Sequence, residues 1–212
     1  MFENALILKT KKMLREIQKF SWLKDFYLAG GTAAALYFGH RKSEDLDFFS
    51  SNGFEIILIR SGLQSAAPFR ITDQKENNLS GVWGNVKLSF MRYPYKLVGK
   101  AETLGKVRVA SIEDIALMKL DAICTRGTKR DFIDLYWISK YSGKTLLDSV
   151  RLTKKKFGKD YSIEHLIKSL SYFLDADKQP MPLMLKKISW EEVKSYFIYH
   201  SMSLARKFMF DL

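Results

Sequence analysis

The sequence predicts an α+β fold: a mixed sheet with flanking helices first, then an all-helical subdomain. Three observations predict it. Short strand-like and helix-like runs alternate up to about residue 95. From about residue 111 onward only helical spacing recurs. No apolar stretch approaches the roughly 20 residues of a membrane helix. The boundary is placed at 108/109, giving an α/β core over 1–108 and a helical subdomain over 109–212.

Taken in order, residues 3–20 place Leu6, Met13, Leu14 and Ile17 at helical spacing, predicting an amphipathic first helix. "DFYLA" is a short buried strand that two glycines break. "TAAALYFG" has three alanines and no breaker before Gly39, so it forms a short helix. "DLDFF" is a strand stopped by the turn "SSNG". Residues 54–66 read as a helix. "FRITDQKE", "LSGVWG" and "NVKLSFMRYP" read as successive strands. "VRVASIED" turns into a helix whose Ser111 and Asp114 fit a capping box. Further helices are expected over 112–124, 129–141, 145–157, 162–174 and 189–209. "DADKQPMP" is the clearest loop.

Composition narrows the function. The formal net charge is +12 and the pI about 9.6. The excess is spread: +4 over residues 1–94, +3 over 95–149 and +5 over 150–212. A basic surface over a whole fold attracts polyanions such as nucleic acid. The single cysteine, Cys124, allows no internal disulfide, and no Cys/His cluster has zinc spacing. The chain is expected to be cytoplasmic, with no membrane partner.

The chemistry concentrates in "LAGGTAAALYFGHRKSEDLDFF". Residues i and i+2 of a strand project to one side, so Asp45 and Asp47 would stand together while Leu46 turns into the core. Two adjacent carboxylates repel, and a divalent cation removes that penalty. Magnesium prefers carboxylate oxygen and takes one or two protein carboxylates plus substrate phosphates. Gly30, Gly31 and Thr32 precede a helix whose first N–H groups and positive dipole end suit a phosphate. Thr32 either caps that helix or bonds a phosphate oxygen.

Later residues add charge to the argument. Lys119 sits amid the apolar stripe 112, 115, 116, 122 and 123. It must snorkel, lose its charge, or meet an anion such as a triphosphate. Asp131 and Asp134 share a helix face, and Arg130 is placed to pair with Asp134 at i, i+4.

Gly-Gly-Thr followed by Asp-hydrophobic-Asp resembles the nucleotidyltransferase signature of the polymerase-beta-like superfamily. The longer string, with "SIEDIALMKLDAI" and "KRDFIDLYWI", resembles the AbiEii-like toxins of type IV toxin–antitoxin and abortive-infection systems. The resemblance covers most of the chain. It implies Mg²⁺, with Mn²⁺ as the alternative, held by Asp45 and Asp47, and an NTP cradled by Gly30, Gly31 and Thr32. Arg41 matches the family string as a phosphate contact or a surface ion pair, and His40 as a structural residue. Lys119 and one of Asp131 and Asp134 would be essential, and Lys119 and Arg130 would bind the nucleotide. The resemblance also implies an RNA acceptor, tRNA in some members, and a cognate antitoxin that is a DNA-binding repressor.

Two alternatives stand beside this: nucleotidyl transfer to a small molecule such as an aminoglycoside, and a nucleotide- or nucleic-acid-binding module without turnover. Many superfamily members carry a third metal carboxylate on a later strand. The corresponding strand here offers Ser89, facing opposite to Leu88.

Overall fold

Residues 3–20 form three pieces rather than one helix in the computed structural model, which describes residues 1–210. A 3-10 turn, Glu3–Ala5, precedes helix α1, Leu8–Glu16, and a second turn, Ile17–Lys19, follows. Tertiary pairing causes the break. Leu6 is extended and bridges Ser43, whose N–H donates to the Ala5 carbonyl at 2.9 Å. Thr10 Oγ1 donates to the Glu44 carbonyl at 2.6 Å. The N-terminal segment is thereby laced to the loop that leads into the two aspartates.

Contacts divide the chain into two compact units, Met1–Ser111 and the residues from Ile112 on. The first unit holds strands β1 (Tyr27–Leu28), β2 (Leu46–Ser50), β3 (Phe69–Lys75), β4 (Asn78–Trp83), β5 (Val86–Arg92), β6 (Glu102–Leu104) and β7 (Val107–Val109). They make one sheet in the order β3-β4-β5-β2-β1-β7-β6. The sheet is mixed: β2/β5 and β1/β7 run parallel, and the remaining neighbours antiparallel. The hairpin β6–β7 has no counterpart in the sequence reading. Each of its strands is three residues long, too short for alternation to register.

Helices α2 (Gly30–Phe38) and α3 (Ile56–Ala66) complete this unit. The alanines carry α2 to Gly39, which ends it in the left-handed conformation at φ 57°. One face of the sheet is buried. Leu46, Phe48, Leu79, Trp83, Leu88 and Phe90 are each at most 1% exposed. Phe90 stacks on Phe48 and meets Trp22 and Phe26 edge-on. Burying each such side chain stabilises by about 1.5–3 kcal/mol.

The second unit is helical: α4 (Ile112–Thr125), α5 (Lys129–Tyr141), α6 (Leu146–Phe157), α7 (Ile163–Ser169), α8 (Leu174–Asp177) and α9 (Trp190–Ala205). The helix expected over 162–174 ends at Ser169, and the loop expected from Asp175 begins inside α8. Tight turns at Ser171 and Tyr172 close the break and let Phe173 pack against Phe132 and Trp190. Asp114, the acid of the expected capping box, is fully buried and accepts from Lys156 Nζ at 2.7 Å. That pair ties α4 to α6. Of the span 109–212, residues 211 and 212 lie outside the described residues. No helix among the described residues is long and apolar enough to cross a membrane.

Candidate active site

In the first unit, β1 runs into Ala29, the N-cap of α2, and the helix begins at Gly30. The first intrahelical bond is Ala33 N–H to the Ala29 carbonyl at 3.4 Å. Helix geometry therefore leaves the N–H groups of Gly30, Gly31 and Thr32 without intrahelical acceptors, at the positive end of the dipole.

Three links join this helix start to the aspartates. Ala29 N–H donates to the Asp47 carbonyl at 3.1 Å. Gly30, at φ 66°, is so close to Asp47 that a Cβ there would stand 3.3 Å from Oδ2. The Thr32 hydroxyl donates to the Asp45 carbonyl and lies 2.7 Å from the Ser43 hydroxyl. Thr32 is thus not the helix cap. It is 1% exposed, and its hydroxyl is turned to the aspartate loop. What it has to offer a phosphate is its backbone N–H.

Asp45 immediately precedes β2 and Asp47 lies in it, and both are half-buried around a fully buried Leu46. Asp47 pairs in register with Ser89 of the parallel neighbour β5. Registered partners share a sheet face at a strand spacing of about 4.8 Å. Ser89 therefore stands beside Asp47, where a third acid would stand. Among the described residues no group of three or more His, Cys, Asp or Glu side chains is arranged for a metal. Two half-exposed carboxylates still fit Mg²⁺, whose other ligands are commonly water and substrate phosphates.

The same face carries aromatic rings. Phe49, two residues beyond Asp47, stacks on Tyr27 at 6.0 Å and meets Tyr93 edge-on at 5.9 Å. Tyr93 meets Tyr95 at 5.0 Å. Arg41 is 3% exposed and gives one N–H to the Lys42 carbonyl at 3.0 Å. His40 is fully buried against the Phe38 ring.

The helical unit gathers the other expected residues. Lys119 Nζ lies 2.8 Å from Asp131 Oδ1 and 2.7 Å from Asp134 Oδ2, with all three side chains at most 4% exposed. The anions that Lys119 meets are therefore the chain's own two acids. Asp134 turns inward to Lys119, whereas Arg130, its expected partner, is exposed.

Sequence reasoning missed Arg126 and Thr128. Arg126 grips Asp131 through Nε at 2.9 Å and Nη2 at 3.1 Å. Thr128 caps α5 and donates to Asp131 Oδ2 at 2.6 Å. The T-x-x-D spacing of Thr128 and Asp131 was a legible capping signal. Arg126 lies in the turn before α5, where no periodicity points. Burial alone would push the Asp131 carboxyl up. The charges and hydrogen bonds of Lys119 and Arg126 outweigh it and hold the group well below the usual carboxylate range.

A family model described as nucleotidyl transferase AbiEii toxin, type IV toxin–antitoxin system, matches residues 12–104 and 96–208. An uncharacterized protein of Aquifex aeolicus is 35% identical over 195 residues, which cover 88% of this chain and 91% of that one. Among solved structures, JHP933 from Helicobacter pylori superposes with a TM-score of 0.59 at 24% identity. That match covers 98% of this chain and 94% of the other, and it supports the fold alone.

Proposed function

Because this chain belongs to the AbiEii nucleotidyl transferase toxin family of type IV toxin–antitoxin systems and is a nucleotidyltransferase, we propose that it moves a nucleoside monophosphate from an NTP to a hydroxyl of RNA, with tRNA the first acceptor to test. One observation carries this reading: the helix start at Gly30 closes directly on the Asp47 carboxylate. That contact supports a site in which N–H groups suited to phosphate adjoin a carboxylate suited to a metal.

Asp45 and Asp47 would hold Mg²⁺ or Mn²⁺. When bound, the metal supplies charge neutralisation on the phosphates and activation of the attacking hydroxyl. Gly30, Gly31 and Thr32 receive triphosphate oxygens through backbone N–H groups. Thr32 also fixes the Asp45 loop through its hydroxyl. Arg41 is too buried for a freely moving phosphate clamp, and we assign it to holding the loop between α2 and β2. Lys119, Asp131 and Asp134 act as a buried positioning cluster of the helical unit. Transfer is in-line attack on the α-phosphorus: the acceptor oxygen–phosphorus bond forms, the bond to the β-phosphate bridge breaks, and pyrophosphate leaves. The protein's share is positioning and fixed charge.

The net charge of +12 favours a polyanionic acceptor over a cationic drug. An acidic cavity of about 400 Å³ does exist in the first unit, with Asp25 and Glu55 in its wall. It adjoins Ser50, at the far end of β2 from Asp45. Five residues of strand separate those ends by about 16 Å, so it does not serve transfer at the aspartates. Ser89 beside Asp47 favours a second reading, nucleotide binding without turnover.

The family implies a cognate antitoxin, which we take to be a DNA-binding repressor, and the substrates place the reaction in the cytoplasm. The test is to offer each α-labelled NTP with Mg²⁺ to total tRNA, other RNA and an aminoglycoside. Label in RNA supports the proposal. Label in the drug alone overturns the acceptor, and Mg²⁺-independent NTP binding without any label favours the second reading.

A further inference from the structure

The helical unit contains a pocket of about 340 Å³, at the lower end of the range for small-ligand sites. Its floor is the end of α4, with Ile123 and Cys124, and one wall is α7. The cations Arg126 and Lys168 stand at its edge, with the Tyr172 ring, 56% exposed, and the Asp175 carboxylate. Lys168 pairs with Glu164 at 2.6 Å, and Asp175 faces Lys178 at 3.6 Å. His165 Nε2 lies 3.3 Å from the Cys124 carbonyl and closes the gap between the two helices.

This lining suits one kind of ligand best. The space exceeds what a bare phosphate fills, yet two cations at the edge suit an anionic group. An exposed aromatic ring beside an apolar floor accepts a flat base, and stacking of this kind tolerates any base. Helix-end carbonyls and Asp175 accept hydrogen bonds from exocyclic amines. We propose that the pocket binds one nucleotide unit of the acceptor RNA, its base against Tyr172 and its phosphate toward Arg126 and Lys168. The choice of an RNA nucleotide over other phosphorylated ligands rests on the proposed transfer to RNA. Arg126 gives the pocket a further consequence. The guanidinium at its edge is the one that holds Asp131, and Asp131 holds Lys119.

The chain carries its own reporter, because Cys124 is its single cysteine and lies in the pocket floor. Burial pushes its thiol pKa up, so reaction with an aromatic disulfide is followed at about pH 9. The background is Asp45→Asn without metal, so no turnover intervenes. Ligands are a short oligoribonucleotide, the four 5′-mononucleotides and inorganic phosphate. The expected result is saturable slowing by the oligoribonucleotide, at least fivefold, with weaker slowing by mononucleotides and none by phosphate. Tyr172→Ala and Lys168→Glu should each weaken oligoribonucleotide protection about tenfold. Unchanged thiol rates with every nucleotide overturn the site. Equal protection by phosphate reduces it to an anion site and overturns the base assignment. Protection by mononucleotides alone overturns the acceptor assignment. Failure of the transfer reading shows separately, as protected thiol in a protein that labels no acceptor.

Discussion

A methyl group on Gly30 would stand 3.3 Å from Oδ2 of Asp47, on a backbone already at φ 66°. Side chains rarely adopt that conformation, and the neighbour in the way is the proposed metal ligand. Gly30→Ala should therefore cost about 1–2 kcal/mol in stability. It should reduce transfer by about 100-fold, because a shift of roughly 1 Å in a reacting group has that scale. Thermal unfolding and kcat measured on one preparation separate the two effects. Equal activity in Gly30→Ala would remove the contact from the mechanism.

Thr32 supports the other aspartate. Thr32→Val keeps the shape but leaves the Asp45 carbonyl and Ser43 hydroxyl without their partner. The expected cost is about 1–3 kcal/mol. If Thr32 acts by fixing the Asp45 loop, kcat falls while KM for NTP changes little, and Thr32→Ser restores both. A rise in KM alone would instead make the hydroxyl a substrate contact.

Within the helical unit, Lys119→Met should destabilise by about 3–5 kcal/mol, since it removes the cation that two buried acids share, and Asp134→Asn should cost less, since Lys119 keeps Asp131. Replacing Lys119, Asp131 and Asp134 together with apolar residues of similar size should recover much of that loss. Denaturant midpoints at constant slope give the comparison. A Lys119→Met variant within about 1 kcal/mol of wild type would contradict the buried geometry.

The Asp131 carboxyl titrates below its unfolded value of 3.8. A depressed folded pKa contributes stability that is fully present above the unfolded value and lost as pH falls through the folded one. Stability should therefore decline below about pH 4 and flatten in Asp131→Asn over that acid window. Lys119 carries more of this than Arg126, whose side chain is 63% exposed and screened. An identical acid slope in the variant would sink the assignment.

Ser89→Asp would place a third carboxylate beside Asp47. Without metal the added charge repels and lowers the melting temperature. Mg²⁺ should raise the melting temperature of Ser89→Asp by several degrees more than that of wild type, because metal binding stabilises the folded state by mass action. No difference in the Mg²⁺ response would mean that Asp47 and Ser89 do not face a common metal.

Strands β4 and β5 and the helices at 112 and 129 were legible because their apolar spacing is regular. For the Asp45–Asp47 pair, strand period predicts the alternation around the buried Leu46, although β2 itself begins only at Leu46. The break at Leu6 was not, since it depends on pairing with Ser43, 37 positions away. For Lys119 the sequence supplied the problem of a cation in an apolar stripe. The answer lay in the turn between α4 and α5, which brings Asp131 and Asp134 under it. Thr32 read as either a cap or a phosphate contact because the sequence puts the helix start near it, two residues late. The helix begins at Gly30, which turns the threonine hydroxyl inward.

The most direct test of the central claim is one incorporation assay. Wild type, Asp45→Asn and Asp47→Asn are incubated with α-labelled NTP, Mg²⁺ and RNA, and labelled RNA and released pyrophosphate are counted together. The account predicts equal amounts of both products with wild type and a loss of at least 1,000-fold, about 4 kcal/mol of barrier, in either variant. Labelling that survives removal of either carboxylate would contradict it.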